Sequence, residues 1–382
     1  MSKYLMSSSP HITSAKTTKN IMLDVIIALM PAVIAMVAIY GVYPLLITLL
    51  SVGTCVLSEF LFNKIRKKEQ SIGDLSAIVT GIILALNLPP VVPIYVPVVG
   101  GVFAIVIVKM LFGGIGRNFA NPAVTARIFL MLAWTSIMTS FVLPVDWSQT
   151  GGAGLFSYFK EAFGSTFPSL PEAVTGATPL AGVKSAFEAG TNPTLGIKAS
   201  DMFLGRIGGS AGEVSSLAIL IGGVYLLVRR VIDWKIPVIY IGTTILFTAI
   251  FYANSGYVGE YIWSYLLGGG LLFGAFFMAT DYATSPNTTV AVVIYSVGLG
   301  FLTVLIRRFS SMSEGVSYAI LLMNIVTPLL DKIKVRPFGT PAKTIKDVID
   351  EIKLKREEKK KAKAEKAAGS DGETSSEGGV NG

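Results

Sequence analysis

Long apolar runs free of charge dominate the chain from residue 21 onward and are separated by short polar turns. They predict helical spans near 21–40, 43–62, 75–88, 92–112, 123–143, 214–228, 236–253, 262–280, 290–306 and 315–331. Two of these, 75–88 and 214–228, fall short of the roughly 20 residues a straight crossing needs. Short runs of that kind predict broken or tilted helices, which in transporters surround a central site. Residues 144–213 form one long polar segment rich in Gly, Ser, Thr and Pro, and a charged stretch follows residue 336. The expected fold is therefore an all-α polytopic membrane protein of about ten transmembrane helices. Its expected parts are an N-terminal half (1–143), a loop (144–213), a C-terminal half (214–336) and a tail (337–382).

The two halves resemble each other at an offset of about 193 residues, which aligns Gly81 with Gly274, Pro93 with Pro286 and Ala126 with Ala319. Five spans per half is an odd number, so the reading is of two inverted five-helix repeats with a cavity at their interface. Chance similarity between apolar segments is the alternative, because membrane helices share small and aliphatic residues. Basic residues set the orientation. With the N-terminus inside, Lys64, Arg66, Lys67, Lys68, Arg117, Arg229, Arg230 and Lys235 all fall on the inner side. Short outer loops then hold Arg307 and Arg308, both termini are cytoplasmic, and residues 144–213 lie outside.

Composition sharpens this picture. Apolar residues make up 52% of the chain, charged residues 15%, and the mean hydropathy is +0.63. A soluble protein of this length would carry more charge on its surface. The first twenty residues are polar, so the first apolar run reads as an uncleaved span and not as a signal peptide. The net charge of +8 does not point to nucleic acid. Residues 341–382 nearly balance, with 10 Lys+Arg against 9 Asp+Glu, and most of the excess flanks the spans. Within the tail, 343–366 reads as a solvated helix and 368–382 as disordered. A single cysteine (Cys55) and a single histidine (His11) cannot ligate an iron–sulfur cluster, a bis-histidine haem or a zinc ion. Cys55 reads as a packed thiol. Any redox role must rest on an organic cofactor.

One stretch of the long loop suits such a cofactor. Thr175-Gly176-Ala177-Thr178 precedes Pro179, and a threonine hydroxyl can carry a flavin through a phosphoester bond. Gly176 and Ala177 offer little steric resistance to a large phosphate, and Pro179 disfavours helix at Thr178. The same tetrapeptide is also compatible with a plain surface turn. A covalent bond has a purpose here, because a flavin outside the cytoplasm could diffuse away.

The motif, together with Gly116-Arg117-Asn118, Asn121-Pro122-Ala123 and Phe277-Met278-Ala279-Thr280-Asp281 leading to Ser285-Pro286, resembles the RnfD component of the Rnf complex. That complex is an ion-pumping membrane ferredoxin:NAD⁺ oxidoreductase. The chain is also similar to the paralogous NqrB component of the sodium-pumping NADH:quinone oxidoreductase. NqrB-like chains carry a longer N-terminal extension, which favours the Rnf reading. The resemblance covers about residues 1–335. It implies FMN bonded to Thr178, electron passage across the membrane coupled to Na⁺ or H⁺ movement, and flavoprotein and iron–sulfur subunits as partners. Thr175 departs from the more usual serine.

The resemblance further suggests a second, noncovalent, riboflavin-like flavin near the inner ends of the helices, to which Asn118, Asn121 and Asp281 would contribute. A purely structural alternative pairs Arg127 with Asp281 or with a backbone carbonyl. Asp24 reads as interfacial, Glu59 as facing a cavity, and Lys109 as snorkelling to the inner surface. Readings from other classes are a solute channel or transporter built from inverted repeats, with the outer loop as a lid, and an architectural subunit that anchors others.

Overall fold

The computed structural model describes residues 17–145, 179–190, 192, 198–213, 215–310 and 315–332. Contacts divide the chain into Met1–Ile333 and Lys334–Gly382, and the second unit lies wholly outside the described residues, with the readings made for the tail. Among the described residues the secondary structure is helical, with no strand.

The main elements are α1 (Thr18–Tyr40), α2 (Tyr43–Ile65), α3 (Ser76–Leu86), α4 (Tyr95–Met110) and α5 (Pro122–Ala133). After the long segment come α6 (Pro179–Ala189), α7 (Ser216–Val228), α8 (Lys235–Phe251), α9 (Val258–Leu267), α10 (Leu271–Met278), α11 (Thr289–Phe309) and α12 (Val316–Leu330). Three of them, α1, α2 and α11, are long and apolar enough to cross a membrane, and the bent pair α9–α10 passes the same test when taken together, as a broken span or a re-entrant loop. The chain is a multi-pass helical membrane protein.

Local chemistry explains where the helices begin. The first N–H groups of a helix lack partners, and leaving them bare in an apolar medium costs several kcal/mol. Thr17, Asn121, Ser215 and Thr288 each cap a helix start by accepting from backbone N–H groups with a side-chain oxygen. Pro122 follows its cap at the first helical position, where the missing N–H costs nothing.

Three expected spans take a more complex form. The run 123–143 ends its helix at Ala133, because Trp134 leaves helical geometry (φ −135°, ψ 62°) and a short turn, Thr135–Met138, follows. The run 262–280 breaks at Gly268-Gly269-Gly270, where α9 and α10 meet at 55°. Gly269 and Gly270 have φ of 60° and 65°, in the left-handed region that disfavours side chains. Within α4, residues Phe103–Met110 are π-turned, as are Gly274–Met278 within α10.

Arg307 stabilises the α9–α10 break. It is a buried residue of α11, not part of an outer loop as expected, and donates to the carbonyl oxygens of Tyr265 (2.6 Å), Gly268 (3.2 Å) and Gly269 (2.9 Å). A cation at carbonyls left free by a helix end satisfies both their hydrogen bonding and the negative pole of the helix.

Small residues let the helices approach closely. At Gly222 of α7 an added Cβ would sit 2.0 Å from the carbonyl oxygen of Ala28 in α1. A backbone atom cannot move aside cheaply, so Gly222→Ala is expected to destabilise the protein by about 1–3 kcal/mol. Gly242→Ala, where nothing lies within 4 Å, is the matched control in a thermal unfolding measurement in detergent. Equal midpoints for the two variants would contradict the close contact.

Candidate functional site

A cleft opens between α1, α3, the start of α5 and the turn after α10. Its walls are largely apolar, with Met22 and Val25 from α1, Val79 from α3 and Phe276 and Phe277 from α10. Asn118, Asn121 and Asp281, which the sequence motifs group together, all line it. A wider opening of about 550 Å³ shares Asn118 and Asp281.

The three residues differ in what they have left to offer. Asn121 Oδ1 accepts from the N–H groups of Ala123 (3.1 Å) and Val124 (3.4 Å), and its Nδ2 donates to the Met278 carbonyl (3.2 Å). Both ends of that amide are engaged, so Asn121 frames the cleft by tying α5 to the end of α10. Asn118 is half-buried, and its buried Oδ1 has no hydrogen-bond partner among the described residues. An acceptor shut from water without a donor costs about 1–3 kcal/mol, and a ligand N–H would recover that cost. Asp281 sits in the turn after α10 and accepts weakly from the Ala283 N–H and the Thr284 hydroxyl, both at 3.4 Å. Burial pushes its carboxyl up from the ordinary range, and those two donors oppose the shift.

Arg127 is not paired with Asp281. It forms a buried ion pair with Glu213 at 2.6 Å and donates to Asn87 Oδ1 (2.6 Å), Ser210 Oγ (3.2 Å) and Ser317 Oγ (3.3 Å). Helical rise explains the difference: Arg127 lies about 9 Å along α5 from the Asn121 cap, too deep to reach the cleft mouth. The chain after α6 brings Glu213 there. Ala211 and Gly212 donate to the carbonyls of Leu88 and Leu86, both at 2.8 Å, so residues 205–213 fold into the bundle.

Lys109 also departs from expectation. Instead of snorkelling, it is buried and lines the cleft, paired with Glu59 at 2.7 Å. Asp24 accepts from Tyr225 (3.0 Å) and Arg229 (3.2 Å), a partly exposed pair at the end of α7. Cys55 is fully buried, as a packed thiol should be. Arg117 is exposed.

Thr175, Gly176, Ala177 and Thr178 lie outside the described residues. Pro179 is the first residue of α6. Leu180 and Val183 of that helix pack on Tyr252, Tyr261, Tyr265 and Val304, and Phe187 meets Tyr252 edge-on at 5.1 Å. The guanidinium of Arg308 lies 3.9 Å from the Phe187 ring centre. Cation–π and apolar contacts thus fix α6 to the ends of α8, α9 and α11. None of these partners is readable by spacing. Their sole sequence signal is charge or aromatic character at the ends of apolar runs.

Comparison with known proteins identifies a family. The family profile described as NQR2, RnfD, RnfE matches residues 5–339. The D component of the Na(+)-translocating ferredoxin:NAD(+) oxidoreductase complex of Acetobacterium woodii is 41% identical over 337 residues, covering 87% of this chain and 95% of that protein. The D component of the proton-translocating ferredoxin:NAD(+) oxidoreductase complex of Clostridium ljungdahlii is 38% identical over 333 residues, 86% of this chain and 94% of that one. Its counterpart in the ion-translocating oxidoreductase complex of Halorhodospira halophila is 34% identical over 348 residues, with 87% and 94% covered. Matched over most of its length, the chain belongs to the NQR2, RnfD, RnfE family.

Proposed function

We propose that this chain is the membrane subunit of an ion-translocating ferredoxin:NAD⁺ oxidoreductase, carrying FMN on Thr178 and a second, noncovalent, riboflavin-like flavin in the cleft. The observation that carries the reading is near-complete coverage, at 41% identity, of a relative named for that complex. The chain is not catalytic alone. With one cysteine it has no cluster ligands of its own, so flavoprotein and iron–sulfur subunits are its partners. The coupled ion is Na⁺ or H⁺, the ions moved by the Acetobacterium woodii and Clostridium ljungdahlii complexes.

Both termini are cytoplasmic in this reading and the Thr175–Thr178 loop is extracytoplasmic, following the positive-inside distribution. Two inverted five-helix repeats make up the bundle. Helices begin at Tyr43 and Lys235, at Tyr95 and Thr289, and at Pro122 and Val316, close to the offset read from sequence.

The residues suit the groups proposed. The wider opening that shares Asn118 and Asp281 holds about 550 Å³, in the ordinary range for an organic cofactor, the cleft walls are aromatic and aliphatic, and Asn118 Oδ1 has no donor among the described residues. Asn118 and Asp281 would meet the polar edge of the ring, with Asn121 holding the frame. At the other site, α6 starts one residue after Thr178 with no acidic side chain in its first turn. Bound flavins supply electron transfer, while the chain sets their position and potential.

Two measurements test the proposal. The intact mass of the chain should exceed the sequence mass by one bound FMN when made with the flavin-attaching enzyme, and an unmodified mass rejects the covalent flavin. Asn118→Ala with Asp281→Ala should strip most acid-extractable flavin from purified protein. Unchanged extraction removes both residues as ligands.

A further inference from the structure

The cleft contains a cation whose position follows from the fold alone. Lys109 is 2% exposed and lines the cleft that Asn118 and Asp281 also line. Its Nζ donates to Glu59 Oε2 at 2.7 Å and to Ser76 Oγ at 2.6 Å. An ammonium has three donors, so one N–H remains beyond these two bonds. The anchors are themselves held. Ser76 Oγ donates to Asp74 Oδ1 at 2.5 Å, and Ser71 donates to the other oxygen of Glu59.

Stability is a weak reason for such an arrangement. Replacing a buried ion pair by apolar side chains of similar size is often neutral or favourable. The backbone gives a second, independent observation. Lys109 lies on the π-turned stretch Phe103–Met110, and the π-turned stretch Gly274–Met278 supplies Phe276 and Phe277 to the same cleft. Single π-turns within α-helices concentrate at functional sites, because they re-aim a side chain at a cost in helix regularity. Two of them lining one cleft, one presenting a lysine, mark where the ammonium is directed.

We propose that Lys109 is a positioning residue that sets the reduction potential of the flavin in this cleft, with Glu59 and Ser76 fixing where its charge stands. The inference rests on the flavin reading of the cleft made above. Uptake of two electrons from the partner subunits and one proton leaves the ring system with one net negative charge. Lys109 lines the cleft and Glu59 does not, so the pair turns its positive end to the ring and favours that charge over the neutral oxidised form. Lys109 acts through its field, and no bond to it forms or breaks.

The test is a redox titration of the extractable flavin in the purified full-length chain, in a Thr178→Ala background that removes the signal of the covalent flavin. The double variant Lys109→Gln/Glu59→Gln removes both charges without leaving one unpaired. It should keep its extractable flavin but favour the reduced state about tenfold less, which lowers a two-electron potential by about 30 mV. Lys109→Arg, which retains the charge, should stay near the unvaried value. Should the double variant fail to fold, Lys109→Met alone, with Glu59 free to take up a proton, should shift the potential in the same direction. Equal potentials in flavin-loaded proteins overturn the proposal. Loss of flavin from a folded charge-removing variant does so too, because Lys109 would then be a binding group. Absence of extractable flavin from the Thr178→Ala parent is a different failure: it rejects the cleft as a flavin site and takes this inference with it.

Discussion

Thr178→Ala is expected to abolish the ultraviolet fluorescence that the chain keeps after denaturing electrophoresis. Denaturation strips noncovalent flavin, so a fluorescent band reports only flavin held by a bond. The side-chain hydroxyl at position 178 is the oxygen the proposed phosphoester requires, and alanine has none. The expected loss is therefore complete, not graded. Thr175→Ala, three residues earlier, should keep the band, since the resemblance assigns the bond to the last threonine of the motif. The protein should be made in cells that hold the flavin-attaching enzyme. A bright Thr178→Ala band, or a dark unvaried band from such cells, sinks the assignment.

The second large effect concerns stability. Arg127→Met is expected to cost about 3–5 kcal/mol, because it leaves the Glu213 carboxylate buried without its cation. The side chains of Arg127 and Glu213 are 4% and 3% exposed, so water cannot take over the lost interaction. Asn87, Ser210 and Ser317 would also lose a common donor. Arg127→Met combined with Glu213→Leu should recover much of the loss, because the unpaired charge is gone and the replacements fill similar space. Thermal unfolding in detergent reads both. A single variant within about 1 kcal/mol of the unvaried protein would mean that the buried pair is not a structural hub. A double variant no better than the single would locate the cost in the hydrogen bonds of Arg127 and not in the stranded carboxylate.

The cleft shows how far the sequence reaches. The motifs that carry the family resemblance group Asn118, Asn121 and Asp281, and the fold does gather them. Their separate jobs are not legible along the chain. Asn121 precedes Pro122 at a helix start, which is a local capping signal, but its bond to the Met278 carbonyl spans 157 positions. Charge pairs are harder still. Glu213 reads as part of the outer loop because it precedes an apolar run, and nothing in its neighbours indicates that backbone bonds to Leu86 and Leu88 draw that segment inward. Arg308 and Phe187 are likewise distant in sequence, and only the docking of α6 brings them together.

The order of residues was enough to establish a membrane-spanning helical bundle and to bound most of its helices. Hydropathy, capping and proline or glycine breaks act within one or two helical turns, and so they can be read along the chain. Tertiary structure alone decided which buried charges meet. Lys109 finds Glu59 across 50 positions and Arg127 finds Glu213 across 86. Such pairings depend on helix rotation, π-turns and the angle between packed helices, so an aliphatic run that looks the same in sequence can turn its one cation toward lipid, toward water or into a cleft.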